Sequence, residues 1–302
     1  MNILVTGATG FIGCHVVGRL LENGHNIIVV VRNREKAKSL SWFGEVNFIE
    51  SDLHREHDFI FRLKPKPDAI LHLAWSGLPN YKDFFHIDEN LISNLSFLKT
   101  SILSGISQLV IAGTCLEYGM QYGPLDEEQV TLPITPYGFA KDTLRKALQI
   151  FQQNQSFTLQ WARLFYMFGK GQNENSLLPQ LDRAIESNQP IFNMSKGDQL
   201  RDYLSIEEVS NFFVLLIENK KYNGVINICS GHPISVRSLV EKYCQKRNSN
   251  IKINYGYYPY PDYEPLAFWG IQGKLKSLIE RTSCKSHSDK TFLPDNDHEL
   301  LK

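Results

Sequence analysis

The chain has 302 residues, and its thirty-two Lys plus Arg are balanced by thirty-two Asp plus Glu, so the formal net charge is zero. That balance excludes binding to nucleic acid through excess positive charge, and the 42% apolar, 21% charged composition excludes a disordered chain. The length allows one large domain, or one domain with a smaller partner. The first residues, MNILVTGATGFIG, carry no basic stretch followed by a signal core, and no run of about 18 apolar residues occurs. Five scattered cysteines (Cys14, Cys115, Cys229, Cys244, Cys284) form no CxxC pair and no zinc spacing. The expectation is a reduced, cytoplasmic protein with no nucleic-acid or membrane partner and no metal.

Elements follow in an alternating order. Ile3–Val5 is a short apolar run, and Cys14–Glu22 places Val16, Val17, Leu20 and Leu21 at helical spacing. Asn26–Val31 is a β-branched run suited to a strand buried on both faces. Glu35–Leu40 is helical, Asn47–Glu50 a short strand, and Asp68–Ala74 another apolar run. Asn90–Ser104 is helical, Gln108–Ala112 strand-like, Tyr137–Gln153 a long helix and Thr158–Phe165 a strand. Strands alternating with helices predict βαβ units and a mostly parallel sheet. Beyond about residue 170 the rhythm changes. Helices are expected at Leu177–Asn188, Ile206–Asn219 and Val236–Gln245, with strands at Pro190–Met194, Asn223–Cys229 and Ile251–Tyr255. Residues 256–265, GYYPYPDYEP, form an aromatic, proline-rich loop, and residues 285–302 lack periodicity and read as a flexible tail. The expected division is a dinucleotide domain over 1–170, with segments returning near 203–230, and a small lobe over 171–284.

The first motif with chemistry is Gly7-Ala8-Thr9-Gly10-Phe11-Ile12-Gly13, between a predicted strand and a predicted helix. Its glycines permit a tight turn, close approach of a pyrophosphate, and close helix–strand packing. The helix start then offers unpaired N–H groups and the positive dipole end to phosphate. The second strand ends without a carboxylate, and Arg32, Arg34 and Lys36 follow. Cations there suit the 2′-phosphate of NADP(H), so NADP(H) is favoured and NAD(H) is the alternative. Asp52, next to Leu53, could accept from an adenine amino group or could cap a helix. His72 in an apolar run reads as a packed core histidine, whereas Leu73, Ala74 and Trp75 end the fourth strand where a nicotinamide ribose would lie. Cys115 reads as a small buried hydrophobe.

A second constellation is Tyr137-Gly138-Phe139-Ala140-Lys141. Residues four apart share a helix face, so the lysine ammonium would sit one turn from the phenol and favour the phenolate. Thr114, at the end of the fifth strand, could hydrogen-bond a reacting oxygen.

Taken together, these residues resemble the extended short-chain dehydrogenase/reductase family, the nucleotide-sugar epimerases, dehydratases and reductases. The pieces are TGATGFIG (6–13), Asp52-Leu53, LHLAW (71–75), Asn90, AGTCLEYG (112–119), YGFAK (137–141), ARLFYMFGKGQ (162–172), RDYLSIEEV (201–209) and NICSGHPISV (227–236). The resemblance implies an α/β fold, a Rossmann doubly wound parallel sheet of seven strands with a small C-terminal α/β substrate lobe. It implies Thr114, Tyr137 and Lys141 as the catalytic triad. Gly7, Gly10, Phe11, Ile12, Gly13 and Asn90 would hold the cofactor with the residues named above. Thr114, Tyr166, Leu178, Asn193 and Arg201 would contact a nucleotide-diphosphate sugar, Arg201 gripping the diphosphate. A homodimer through the Asn90 and Tyr137 helices is also implied. Two departures matter: Tyr166 stands where the family often has Asn, and Cys115-Leu116 replace the Asp-Glu pair of dehydratases. The segments FNMSKGDQLRDYL (192–204) and YPYPDYEP (258–265) look like bacterial dTDP-4-keto-6-deoxyhexose reductases. Reduction of a C4 ketone is therefore the expected reaction, with a 4-epimerase holding NAD as the alternative and a non-catalytic NADP sensor as a third.

Overall fold

The computed structural model describes residues 1–283. In chain order the elements are β1 (Asn2–Thr6), α1 (Phe11–Glu22), β2 (Asn26–Val31), β3 (Asn47–Glu50), α2 (Phe59–Arg62), β4 (Ala69–His72), α3 (Ile92–Leu103) and β5 (Gln108–Thr114). Then come β6 (Gly123–Leu125), α4 (Pro136–Gln152), β7 (Thr158–Leu164), β8 (Tyr166–Phe168), α5 (Leu177–Glu186), β9 (Ile191–Asn193), β10 (Leu200–Arg201) and β11 (Tyr203–Ser205). The described chain ends with α6 (Ile206–Glu218), β12 (Gly224–Ile228), β13 (Ile234–Ser235), α7 (Val236–Lys246), β14 (Lys252–Asn254), β15 (Phe268–Gly270) and α8 (Gly273–Ser283).

Seven strands form one sheet in the order β12-β7-β5-β4-β1-β2-β3. Every neighbouring pair from β7 to β3 is parallel, with Ile3 opposite both Ile27 and Ala69. The expected doubly wound sheet of seven strands is therefore present. Alternation along the strands sends Leu4, Ile70, Leu109 and Ile111 into one apolar cluster with Phe97 and Leu98 of α3 and Leu144 and Leu148 of α4. Two buried glutamines stitch α6 to the sheet. Gln108 donates to Gln160 Oε1 and to Ile217 O, each at 2.9 Å, and Gln160 donates to Leu216 O at 2.8 Å and Asn219 O at 3.0 Å. These amides reach carbonyls at the C-terminal end of α6, where the helical hydrogen-bond ladder runs out.

The described chain divides into two compact units. One comprises Met1–Gly119, Gln129–Leu164 and Val209–Ile226, and the other comprises Met120–Glu128, Phe165–Glu208 and the residues from Asn227 onward. The second unit thus takes an early excursion, 120–128, and the return to the first unit begins at Val209 and not near 203. Within the second unit, parallel pairs join β15 to β6, β11 to β8 and β14 to β9, and an antiparallel pair joins β10 to β13. Leu181, Ala184, Phe192, Met194, Val236 and Val240 form its main apolar cluster.

The long elements that were foreseen lie within three residues of their expected bounds, but α8 was not foreseen, and the helix expected over Glu35–Leu40 is only a short 3-10 turn over Arg34–Ala37. One helix starts earlier than expected, because a π-helical turn over His86–Leu91 leads into α3. The strands of two or three residues carry too few side chains for a period of two to show, and β6, β8, β10, β11, β13 and β15 went unanticipated. The expected tail at 285–302 lies outside the described residues, as does Cys284, and the four described cysteines are free thiols. No described helix is long and apolar enough to cross a membrane. Leu144 is fully buried in the main cluster. Leu144→Ala should cost about 2–5 kcal/mol, read as a lower midpoint in urea at unchanged slope.

Candidate active site

The sheet reverses its strand order between β1 and β4, and there the chain after β1 makes its glycine turn. Gly7 has φ +73°, a conformation that favours glycine. A Cβ on Gly7 would lie 2.6 Å from Ala74 N, and one on Gly13 would lie 2.2 Å from Gly7 O. Both positions therefore exclude any side chain, and the turn packs directly on the end of β4. A cavity of about 800 Å³, counting its open mouth, is lined by Gly7, Gly10, Arg32, Asp52, Leu53, Leu73, Ala74, Trp75 and Asn90, among others. Phe11 and Ile12 form the first turn of α1 behind Gly10, its N-cap. No acidic residue occupies that turn, so its N–H groups and dipole are free to meet an anion. Buried Asn90 donates to Ser76 O at 2.9 Å, while its Oδ1 has no hydrogen-bond partner in the protein. A cradle without side chains and an orphaned acceptor beside it fit a nicotinamide dinucleotide.

At the β2 end of this cavity the expected cation cluster is reduced. Arg32 lines the cavity, but Arg34 does not: its guanidinium stacks on Phe48 at 4.7 Å and Phe43 at 5.4 Å. Planar guanidinium on an aromatic face is a favourable contact, and it holds Arg34 beside the cavity and not in its lining. Lys36 is exposed and also lines no part of the cavity. Asp52 lines the cavity, and it caps a turn where a helix start was the alternative expectation: its Oδ1 accepts from His54 N at 3.1 Å, and the next helix begins at Phe59. His72 is the core histidine expected. It is fully buried, its Nδ1 pairs with Thr6 Oγ1 at 2.9 Å, and burial drops its pKa to about 3.

Thr114, Tyr137 and Lys141 converge in the first unit. β5 delivers Thr114, and α4 presents Tyr137 and Lys141 one turn apart on its buried face. Pro136 at the helix start and Thr135 as N-cap, accepting from Gly138 N at 3.1 Å, fix where α4 begins. Thr114 and Tyr137 are hydrogen-bonded to each other. Lys141 Nζ donates to Ala112 O at 2.8 Å and lies 4.0 Å from the Trp75 ring centre. Trp75, Tyr81 and His86 pack around Tyr137 with ring centres 5.3–5.9 Å away. The Trp75 indole N–H donates to His86 Nδ1 at 3.1 Å.

The electrostatics differ from expectation. Burial dominates both groups, pushing the Tyr137 phenol upward and the Lys141 ammonium down to about 7. In the protein alone, Thr114 is the neighbour that lowers the phenol, in place of the expected lysine.

One part of this site escaped the sequence reading. Glu117 is fully buried. Its Oε1 accepts from Thr114 N and from Trp161 Nε1, each at 2.9 Å, and its Oε2 accepts from Arg163 Nε at 2.8 Å. Arg145 Nε lies 3.7 Å from the same Oε2. A Cβ on Gly113 would fall 2.2 Å from Trp161 Nε1 and 2.7 Å from Glu117 Oε1. The signal was available, because Thr114-Cys115-Leu116-Glu117 has the spacing of a capping box.

In the second unit the expected substrate residues are engaged locally. Arg201 is 2% exposed, pairs with Glu264 at 3.0 Å, and donates to the carbonyls of Leu200 and Leu266. Its guanidinium also lies over Phe268 at 4.6 Å. The guanidinium is thus enclosed as an ion pair with Glu264. Leu178 is a core residue, buried with Phe168 and Leu239. Asn193 Oδ1 accepts from Asn254 Nδ2 at 2.8 Å, across the β9–β14 pair. Tyr166 packs against Tyr203 and Phe268 with ring centres 5.5 and 6.0 Å away. No described group of His, Cys, Asp and Glu could hold a metal.

Comparison with known proteins bears on the whole chain. A dTDP-6-deoxy-L-talose 4-dehydrogenase (NAD(+)) of Aggregatibacter actinomycetemcomitans is 32% identical over 281 residues, covering 90% of this chain and 100% of that protein. A UDP-glucose 4-epimerase of Halalkalibacterium halodurans is 26% identical over 269 residues, 80% of this chain and 79% of that protein. Among solved structures, a UDP-N-acetylglucosamine 4-epimerase from Methanobrevibacter ruminantium M1 superimposes with TM-score 0.82 at 22% identity, covering 99% and 94% of the two chains. That likeness concerns the fold. The model of the NAD dependent epimerase/dehydratase family matches residues 3–229, and with a dinucleotide cradle at Gly7–Gly13 and a Thr–Tyr–Lys cluster beside it the chain belongs to that family.

Proposed function

We propose that the protein interconverts the C4 alcohol and C4 ketone of a dTDP-linked 6-deoxyhexose. The observation that carries this reading is the 32% identity to a dTDP-6-deoxy-L-talose 4-dehydrogenase over that protein's entire length. The site geometry supports the same chemistry. A nicotinamide dinucleotide, when bound, takes up or supplies the hydride. The remaining work falls to the chain. Tyr137 holds the proton that leaves or joins the reacting oxygen, and the Thr114 hydroxyl orients that oxygen. Lys141, if charged, stabilises negative charge developing on the phenol. The packed rings of Trp75, Tyr81 and His86 keep water from the phenol. Cys115 and Leu116 supply no additional acid or base, which speaks against dehydration.

The second reading is a 4-epimerase, favoured by the 26% identity to a UDP-glucose 4-epimerase. It needs the same three residues and differs in returning the hydride to the opposite face of the same sugar. Purified enzyme given dTDP-6-deoxy-L-talose and NAD+ distinguishes the two. Stoichiometric NADH is the outcome for the dehydrogenase, and isomerised sugar without net NADH would overturn it.

Two variants test the assignments. Tyr137→Phe should lower kcat by about 10³-fold while the dinucleotide Kd changes less than about threefold; full activity would remove Tyr137 from the mechanism. For the cofactor, we infer that Arg32 lets the enzyme use NADP(H) besides NAD(H). Arg32→Ala should raise KM for NADP+ about tenfold and leave KM for NAD+ unchanged. Equal effects on both would mean that Arg32 does not read the 2′-phosphate.

A further inference from the structure

We propose that Glu117 is a positioning residue for catalysis, clamping Thr114 from behind and holding a negative charge beside Tyr137 and Lys141. The inference rests on the reading of those three residues as the reacting group. Its ground is geometric. Glu117 follows Thr114 by one turn, yet its carboxylate folds back to accept the Thr114 backbone N–H at 2.9 Å. The same oxygen accepts the Trp161 indole N–H, and the other accepts Arg163 Nε, both donors coming from β7. Three donors from β5 and β7 therefore meet on one carboxylate with no exposed surface. Gly113 is the residue that lets Trp161 and Glu117 approach so closely, since any Cβ there would occupy their place. A helix cap alone needs neither a second strand nor a buried charge.

The charge acts on the site from behind Thr114. It raises the pKa of Lys141, opposing the burial that lowers it, and it raises that of Tyr137. Tyr137 is faced by Tyr81, Cys115, Thr114, Glu117 and the rings of Trp75 and His86. Lys141 is faced by Glu117, His72 and the Trp75 ring. Glu117 itself is faced by Arg163 and Arg145. The form that oxidises alcohol has the phenol ionised and the ammonium still charged, so the pKa values of both groups together set the limbs of the rate profile. A negative charge raises both pKa values. Removing it leaves the Arg163 charge without this counter-charge and lowers both, so the whole profile moves to lower pH.

The test uses Glu117→Gln and Glu117→Asp in the full chain, with dTDP-6-deoxy-L-talose and NAD+ as substrates. Glu117→Gln should lower kcat about 10²-fold, leave the KM for NAD+ within about threefold, and move both limbs down by roughly half a pH unit or more. Glu117→Asp keeps the charge but falls one methylene short of Thr114 N. It should lower kcat with the limbs in place. Thermal midpoints measured alongside separate folding from chemistry. Limbs that stay put in Glu117→Gln, or a Glu117→Asp variant with wild-type kcat, would overturn the proposal. Should Glu117→Gln fail to fold, Glu117→Asp alone decides on its kcat. Tyr137→Phe run beside them reports on the underlying reading, because its full activity would remove the triad whatever Glu117 does.

Discussion

Everything in the first unit depends on one close approach, that of the Gly7 turn to the end of β4. Two parallel strands run side by side there, and the chain leaves them toward opposite edges of the sheet. The divergence leaves a gap beyond the strand ends, as it does in any open α/β sheet. What makes the gap a cradle is the missing Cβ at Gly7, which brings its backbone against Leu73 and Ala74. Gly13 then sets α1 onto the same turn, so that helix dipole, cavity and β4 end share one place.

Burial governs the reactive groups next to it. Tyr137 and Lys141 sit against aromatic rings, and both neutral forms gain from that setting. The polar contacts that offset it are few and specific: Thr114 on the phenol, Ala112 O on the ammonium, the Trp75 face over the same ammonium, and the carboxylate of Glu117 behind them. Each comes from a strand end or from the helix itself, and such rigid supports are where a reacting geometry is best kept.

Much of this was legible beforehand, and the reasons differ by residue. Gly7, Gly13, Tyr137 and Lys141 were readable because backbone freedom and helical spacing are properties of the chain itself. For Arg34 and Arg201 the charge was visible in the sequence and the neighbours were not. Phe43 and Phe48 claim the first, Glu264 and Phe268 the second. Leu178 likewise belongs to an apolar cluster assembled from separate helices. Glu117 was missed for the opposite reason. Its capping-box spacing is local, but its worth comes from Trp161 and Arg163, 44 and 46 residues further on.

The place of β12 has a consequence for how the protein is made. Residues Gly224–Ile228 form the edge of the sheet beside β7, which ends at Leu164, and most of the intervening chain up to Glu208 belongs to the other unit. A chain emerging from the ribosome therefore completes six strands and then extends by some sixty residues before the seventh arrives. During that interval β7 has an unpaired edge, and Gln108 and Gln160 wait for the carbonyls of α6. Vectorial synthesis thus sets a window in which the nascent sheet is open to mispairing, and α6 with β12 closes it.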